Sequence, residues 1–453
     1  MRLSVGAQAV VVAVLAMGMA APVANAQSVQ TESVGGVWDS VRPVVDHTAP
    51  HDDQSFYEVP DGVDLASTAP GTVLRERQIG YHVAALPTPV QVTQILYATT
   101  NARGGIEENV TSVIHPPGPA TGNVVSYQSF YDSLNPLDNP SRMIAGNRSL
   151  GGLIPAFETT FIAPSLLAGH TVVLADTQGP DADFAAGPGY GAATLDSLRA
   201  ATASPTAAVG ADSRIGLFGY SGGAIASNWA AILLADYAPE LRDRIVGVAQ
   251  GGLFVNPVTN LRYAGEGPLW SGVVGMALVG LSRAYEIDVD QYLTEYGQRV
   301  LADVRELSII EAFGRYENLR WSDIVRPEYP TPQDAPEIME VIREINMGTR
   351  PAHALPMFVF QGAGGFLEGT PPGGPGVGDG DGVMVAGDVR TLMRDYCAGG
   401  TQIEYREYPY LSHVLAAVPW VVEGQMWLEG RFAGAPVTNN CETIPPGNDL
   451  SGN

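Results

Sequence analysis

Short apolar runs alternate along this chain with segments whose apolar residues recur at helical spacing. The apolar runs are Asn123–Gln128, Thr171–Ala175, Arg214–Phe218, Ile245–Ala249, Pro356–Phe360 and, later, Gln402–Tyr408. Helical spacing occurs in Ile162–Ala168, Ala224–Tyr237 and Val389–Tyr396. Apolar strands that alternate with helices are typical of a mostly parallel sheet with helices on both faces. We therefore predict an α/β fold.

The pattern changes in two other regions. Near the N-terminus, Val90–Thr99 and Val110–Ile114 alternate in the manner of strands. Between about 256 and 350 the strand signals vanish, and helical patterns cover Gly272–Tyr285, Val289–Leu307 and Pro336–Ile345. We predict a helical cap at 256–350, inserted between two parts of the core. The first part, 27–255, includes an N-terminal arm, and the second is 351–453.

The helical pattern at Gly272–Tyr285 is apolar nearly all round. A helix of this kind is usually buried in a core. As a lid over an apolar pocket it would instead meet lipid transiently when open.

Residues 1–26 have the pattern of a secretory signal. Arg2 provides the positive start, Ala9–Ala21 the apolar stretch and Ala24-Asn-Ala26 a small-residue cleavage site. No later apolar run reaches the roughly 18 to 20 residues of a membrane span. We predict a secreted protein whose mature chain begins near Gln27 and has no transmembrane segment.

Charge and cysteine content narrow the set of functions. All 24 basic residues are arginines, and 48 acidic residues give a formal net charge of -24. A chain this acidic repels phosphate, so nucleic acid is excluded as a partner. Cys397 and Cys441 are the only cysteines, and in an oxidising compartment they are expected to form a disulfide.

The stretch Gly219-Tyr-Ser-Gly-Gly223 joins the apolar run at Arg214–Phe218 to the helical pattern at Ala224–Tyr237. A serine on a tight strand-to-helix turn, with small residues on both sides, is called a nucleophile elbow. Gly and Ser are also common in plain turns, so the five residues alone are weak evidence. The flanking strand and helix favour catalysis, and we predict Ser221 as the nucleophile.

A catalytic serine needs a histidine to take its proton and a carboxylate to orient that histidine. In hydrolases with an elbow, the acid and then the histidine follow the serine, each after a later strand. Only His353 and His413 follow Ser221, and His353 precedes its strand. We predict His413, just beyond the strand that ends at Tyr408, as the base; the alternative is an ordinary surface-loop histidine.

The acid has four candidates, because an irregular Gly- and Pro-rich segment follows the strand at 357–361. They are Glu368, Asp379, Asp381 and Asp388. Asp381 immediately precedes Gly382–Val385 and the next helix, where the acid normally stands. We predict Asp381, with Asp379 as the alternative. The pair could also bind a cation, although no calcium-loop spacing follows them.

Ester hydrolysis further requires two backbone N–H donors for the tetrahedral intermediate. Gly222, directly after the nucleophile, is expected to supply one. The other should lie on the loop after the strand at 124–127, where Asp132 is the best position. Asp132 is also a turn-forming residue, and the two interpretations are compatible.

Taken together, these pieces resemble the secretory lipase family of α/β hydrolases almost end to end. The landmarks are, in order, Phe56–Pro60, Pro70–Arg75, Ile95–Thr99, Ser126–Ser133, Gly219–Gly223, Gln361–Gly362 and Tyr408–His413. The main departure is an insertion around Gly364–Gly380, which displaces the acid. The resemblance implies an α/β-hydrolase fold with a helical cap over a deep acyl pocket, a disulfide matching Cys397 to Cys441, and an oxyanion donor at Asp132.

These features predict an exported carboxylic ester hydrolase, namely a triacylglycerol lipase that forms an acyl-enzyme at Ser221. We expect its partner to be a lipid or other ester, and we expect no metal and no organic cofactor. Two alternatives stay open. One is a short-chain esterase or acyltransferase on the same fold, and the other is a noncatalytic exported binding protein.

Overall fold

The computed structural model describes residues 54–451, and a nine-stranded sheet forms their centre. The predicted signal segment at 1–26 and the start of the predicted arm lie outside the described residues. The strands are β1 (Val73–Val83), β2 (Leu86–Thr100), β3 (Ile106–Ile114), β4 (Val124–Gln128), β5 (Thr171–Ala175), β6 (Ile215–Tyr220), β7 (Ile245–Gly251), β8 (Met357–Gly362) and β9 (Ile403–Tyr408). Their order in the sheet is β1-β2-β3-β5-β4-β6-β7-β8-β9.

The sheet is mostly parallel, as predicted. Strands β4 to β9 pair in parallel, with Ser126 opposite Leu217 between β4 and β6. Strands β1, β2 and β3 form an antiparallel edge that joins β5. The pattern of apolar positions does not single out β1, because most of its side chains are half-buried rather than alternately buried and exposed.

Helices cover both faces of the sheet. The α-helices of the described residues are α1 (Pro140–Ile144), α2 (Leu153–Leu167), α3 (Gly187–Ala203), α4 (Gly222–Tyr237), α5 (Pro257–Ala264), α6 (Gly272–Tyr285), α7 (Glu295–Val304), α8 (Ile309–Ala312), α9 (Trp321–Ile324), α10 (Pro336–Ile345), α11 (Ala386–Ala398) and α12 (His413–Phe432). Side chains of α3, α4 and α11 pack with Leu217 in one core. Side chains of α2 and α12 pack with Phe218 in another, because successive residues of a strand point to opposite faces.

Residues 257–345 contain helices α5 to α10, and most of their buried apolar residues form a third core together with Leu134, Phe184 and Ala185. Helices α6 and α10 have the predicted bounds. The helix predicted at Val289–Leu307 is instead a short 3-10 turn at Val289–Tyr292 followed by α7. The break occurs at Thr294, whose hydroxyl accepts a hydrogen bond from Gly297 N at 3.1 Å and so caps α7. The division into a cap and two core parts stays a prediction.

A disulfide joins Cys397, in α11, to Cys441 near the C-terminus, as predicted. The two cysteines are 44 residues apart in the chain. The side chain of Asn440 also contacts β9, because its amide donates to Tyr405 O at 2.9 Å. The bridge and this hydrogen bond hold the C-terminal segment against the core. Within residues 54–451, no helix is both long enough and apolar enough to span a bilayer.

Candidate active site

Ser221 lies on the turn between β6 and α4 with a backbone φ of 53° and ψ of -119°. A positive φ is strained for a residue with a side chain, and such strain is characteristic of a nucleophile elbow. The flanking glycines allow the turn to close. A Cβ at Gly219 would lie 2.2 Å from Gly223 O, and one at Gly223 would lie 2.0 Å from Gln128 O. The sequence pattern and the local geometry therefore agree.

Two hydrogen bonds link Ser221 to His413 and Asp381. His413 Nε2 is 2.8 Å from Ser221 Oγ, and His413 Nδ1 is 2.7 Å from Asp381 Oδ2. His413 is the first residue of α12, and its carbonyl accepts a hydrogen bond from the Tyr220 hydroxyl at 2.7 Å. The fold thus brings together three residues that are far apart in the chain.

Asp381 is held by the turn that follows it. Its Oδ1 accepts hydrogen bonds from Val383 N at 3.1 Å and from Met384 N at 2.7 Å. Its own main-chain N–H donates to Met384 O at 3.0 Å. These bonds leave Oδ2 to face His413.

The other three candidate carboxylates are placed differently. Asp379 is exposed. Asp388 is buried and hydrogen-bonded to Thr259 and, at 2.7 Å, to Asn448 Nδ2. Glu368 is buried beside His413 but accepts its hydrogen bonds from other groups. Of the four candidates, Asp381 is the one in contact with the imidazole ring.

The two histidines that follow Ser221 differ in their electrostatic environment. Burial lowers the pKa of His413, but the negative charges of Asp381, Glu368 and Asp132 and the hydrogen bond to Asp381 outweigh it, so that this pKa is raised above 6.5. Burial alone lowers the pKa of His353 to about 4. The His413 cation is therefore stabilised, whereas His353 stays neutral.

Asp132 and Gly222 lie beside the serine at the wall of one pocket. Gly222 is the first residue of α4, so its N–H has no partner within the helix. Asp132 has a φ of 30°, and its carbonyl accepts from Ile309 N at 2.7 Å. Burial raises the pKa of the Asp132 carboxyl to about 7, although His413 and the hydrogen bond from Gln178 lower it.

Sequence reasoning missed two side chains that hold the loop bearing Asp132. Gln178 Nε2 donates to Asp132 Oδ1 at 2.9 Å. Glu158, in α2, accepts from Phe130 N at 2.9 Å and from the Tyr127 hydroxyl at 2.8 Å. Neither belongs to a motif. The only signal was a glutamate on a helix that is otherwise largely apolar.

The pocket at Ser221 extends under the helices of 257–345. Of the described residues that line it, Asp132 is the only titratable one. Its apolar wall includes Phe254, Leu261, Trp270, Val274, Leu278, Leu281, Ile338, Ile342, Ile345 and Met384. Within residues 54–451, no three His, Cys, Asp or Glu residues are grouped in a way that could hold a metal ion.

A serine at a nucleophile elbow, on a mostly parallel sheet with helices on both faces, defines an α/β hydrolase. The chain belongs to the secretory lipase family, whose sequence model matches residues 147–440. It is therefore related to ester hydrolases of the lipase type, and the family's description indicates secretion.

Individual relatives agree with this assignment. The chain is 27% identical to Lipase 6 of Candida albicans, over 86% of this chain and 84% of that protein. It is 30% identical to a Mycobacterium tuberculosis protein named "Probable inactive lipase MT1628", over 88% and 85%. Among solved structures, Candida antarctica lipase A in its closed state superimposes with a TM-score of 0.74 at 25% identity, covering 90% of this chain and 92% of that one.

Proposed function

We propose that this protein hydrolyses carboxylic esters of long acyl chains, such as triacylglycerols, with Ser221, His413 and Asp381 as a catalytic triad. The observation that carries the proposal is the pair of hydrogen bonds, 2.8 Å and 2.7 Å, that connects the three residues beside an apolar pocket. The family membership supports the same reaction.

In the first half of the reaction, His413 Nε2 takes the Ser221 proton while Oγ attacks the ester carbonyl carbon. The carbonyl oxygen becomes an oxyanion, which the N–H groups of Asp132 and Gly222 stabilise. Collapse of this intermediate breaks the bond to the alcohol oxygen, and that oxygen receives the proton from His413. The products are a free alcohol and an acyl-enzyme on Ser221.

In the second half, His413 takes a proton from water, and the hydroxide attacks the acyl carbon. The Ser221 oxygen leaves with the proton from His413, and the carboxylic acid is released. Asp381 keeps the N–H of His413 at Nδ1 and stabilises the imidazolium formed in both halves.

The pocket supports a long, uncharged acyl group as substrate. It reaches from Ser221 to side chains of α6 and α10, and among the described residues that line it Asp132 has the only carboxyl. We further propose that the helices of 256–350 act as a cap that meets a lipid surface when it opens. We also propose that residues 1–26 are cleaved off on export. N-terminal sequencing of the secreted protein should then find its first residue near Gln27.

Labelling with a serine-reactive fluorophosphonate, followed by activity on a series of esters, tests the proposal. Wild type should be labelled. Ser221→Ala should not be labelled, and its kcat should be about a millionfold lower. Ser67→Ala, at an exposed serine, is the matched control and should match wild type.

Each alternative has its own outcome in these experiments. Activity on short soluble esters with none on emulsified triglyceride would indicate a short-chain esterase. Acyl transfer to an added alcohol in place of hydrolysis would indicate an acyltransferase. Absence of labelling in folded wild type would indicate a noncatalytic binding protein.

A further inference from the structure

The insertion that separates β8 from Asp381 places a second buried carboxylate next to His413. Glu368 ends a 3-10 turn at Gly365–Glu368 and is only 4% exposed. Burial of a charge is unfavourable unless hydrogen bonds compensate for it. The contacts of Glu368 therefore indicate what the residue does.

Three uncharged groups donate hydrogen bonds to Glu368. Trp270 Nε1 donates to Oε2 at 2.6 Å, and Val414 N donates to Oε1 at 2.9 Å. The Ser412 hydroxyl is the third donor. Ser412 is the N-cap of α12 and Val414 lies in its first turn, so the carboxylate sits at the N-terminal end of the helix that begins with His413. A negative charge at this end of a helix is favourable.

Trp270 connects the same carboxylate to the helical region and to the base. Its ring lies edge-on to the ring of His413, with centroids 5.2 Å apart, and edge-on to Phe313 at 5.0 Å. Trp270 also lines the pocket, whereas Glu368 does not. Glu368 thus binds both Trp270, which forms part of the pocket wall, and the first turn of α12.

The backbone near Asp381 is shaped to leave room for this contact. Gly382 has a φ of +128°, and a Cβ there would lie 2.7 Å from Glu368 Oε2 and 3.1 Å from Trp270 Nε1. The Thr370 hydroxyl donates to Gly382 O at 2.8 Å, and Gly365 N donates to Gly380 O at 2.8 Å. The turn that carries Glu368 and the turn that carries Asp381 are therefore one hydrogen-bonded unit.

We propose that Glu368 is a positioning residue: it binds Trp270 and the first turn of α12 so that His413 keeps its orientation between Ser221 and Asp381, and its charge stabilises the His413 cation. This inference rests on the proposed function. Asp381 and Asp132 are the other carboxylates whose charges act on His413. The pKa of His413 is raised in part by Glu368, which gives the inference a measurable consequence.

The test compares Glu368→Gln with Asp379→Asn, which removes one exposed carboxylate from the same insertion. With a soluble nitrophenyl ester, Glu368→Gln should lower kcat by roughly tenfold and leave KM unchanged, since Glu368 does not line the pocket. The acid limb of its kcat/KM profile should move to lower pH, because one charge that stabilises the cation is lost. Asp379→Asn should match wild type in both respects.

The rate of fluorophosphonate labelling as a function of pH gives the same comparison without a substrate. Trp270→Phe keeps an aromatic side chain at this position and removes the Nε1 donor. It should therefore slow labelling, and it tests the inference independently if Glu368→Gln fails to fold. Labelling of Glu368→Gln with the wild-type rate and pH profile, or of Trp270→Phe at the wild-type rate, would overturn the inference. Absence of labelling in wild type would instead refute the proposed function.

Discussion

Asp381 contacts His413 twice: its carboxylate lies 2.7 Å from the ring Nδ1, and its main-chain carbonyl accepts the His413 main-chain N–H at 2.7 Å. The side chain and the backbone of the acid thus hold the same residue. Rotation of the imidazole and movement of the start of α12 are both restricted. The proposed base therefore faces Ser221 before any substrate binds.

Replacement of the acid distinguishes Asp381 from its neighbour. Asp381→Asn should reduce kcat on the order of ten-thousandfold, because an amide neither fixes the ring tautomer nor stabilises the cation. Asp379→Asn should have almost no effect, because Asp379 is exposed. Steady-state kinetics on both variants provides the check, and a larger loss at Asp379 would overturn the assignment.

A methyl group at Gly222 should disrupt the proposed oxyanion site. A Cβ there would lie 2.1 Å from Asp132 Oδ1, so Gly222→Ala must displace the Asp132 carboxyl, which Gln178 holds, at the proposed second donor. We expect kcat to fall by about a hundred- to a thousandfold, the usual cost of a lost oxyanion donor.

The matched control for Gly222→Ala is Gly374→Ala, in the inserted segment, where a Cβ would meet nothing within 4 Å. It should behave as wild type. Wild-type kcat in Gly222→Ala would remove Asp132 and Gly222 from the proposed mechanism.

Activity should depend on pH at two limbs. Below the raised pKa of His413 the imidazole is protonated and cannot accept the serine proton, so kcat/KM should fall at a pH above the 6.5 of an ordinary histidine. The pKa of Asp132 is raised to about 7, so its carboxyl gains a negative charge near the proposed oxyanion as the pH rises further. We therefore expect a second decline above about pH 7.

Asp132→Asn separates the two limbs, because asparagine keeps the backbone N–H and cannot ionise. Its profile should lack the alkaline decline and keep an acid limb, moved to lower pH because one charge that stabilises the His413 cation is lost. The measurement is the pH profile of kcat/KM on a soluble ester, from about pH 4 to about pH 10, for wild type and Asp132→Asn. An unchanged alkaline decline in Asp132→Asn would exclude Asp132 as its cause.

Loss of the disulfide should lower stability. The bridge closes a loop of 44 residues, and chain entropy assigns about 4 kcal/mol to a loop of this length. The double variant Cys397→Ser, Cys441→Ser should therefore unfold at lower urea concentration than wild type. Wild type measured in a reductant is the control and should shift in the same direction; a change below about 1 kcal/mol would show that the bridge contributes little to stability.

The elbow and the sheet could be predicted from local sequence. The run at 214–218, the glycines around Ser221 and the helical spacing after them are short-range features, and a buried parallel strand needs little more than its own apolar side chains. Chain order also limited the base to two histidines. Strand β1 could not be predicted in the same way, because its half-buried side chains do not alternate clearly between buried and exposed positions.

The sequence by itself determined the class of fold, the position of the elbow, the disulfide pair and His413 as the favoured base. Only the tertiary structure placed one carboxylate against that histidine, because the path of a Gly- and Pro-rich segment depends on its contacts with distant residues. Asp379 and Asp381 are two positions apart in the chain, yet one faces solvent and the other is buried. The role proposed for Glu368 likewise depends on Trp270 and Val414, each far from it in sequence, so no local pattern could reveal it.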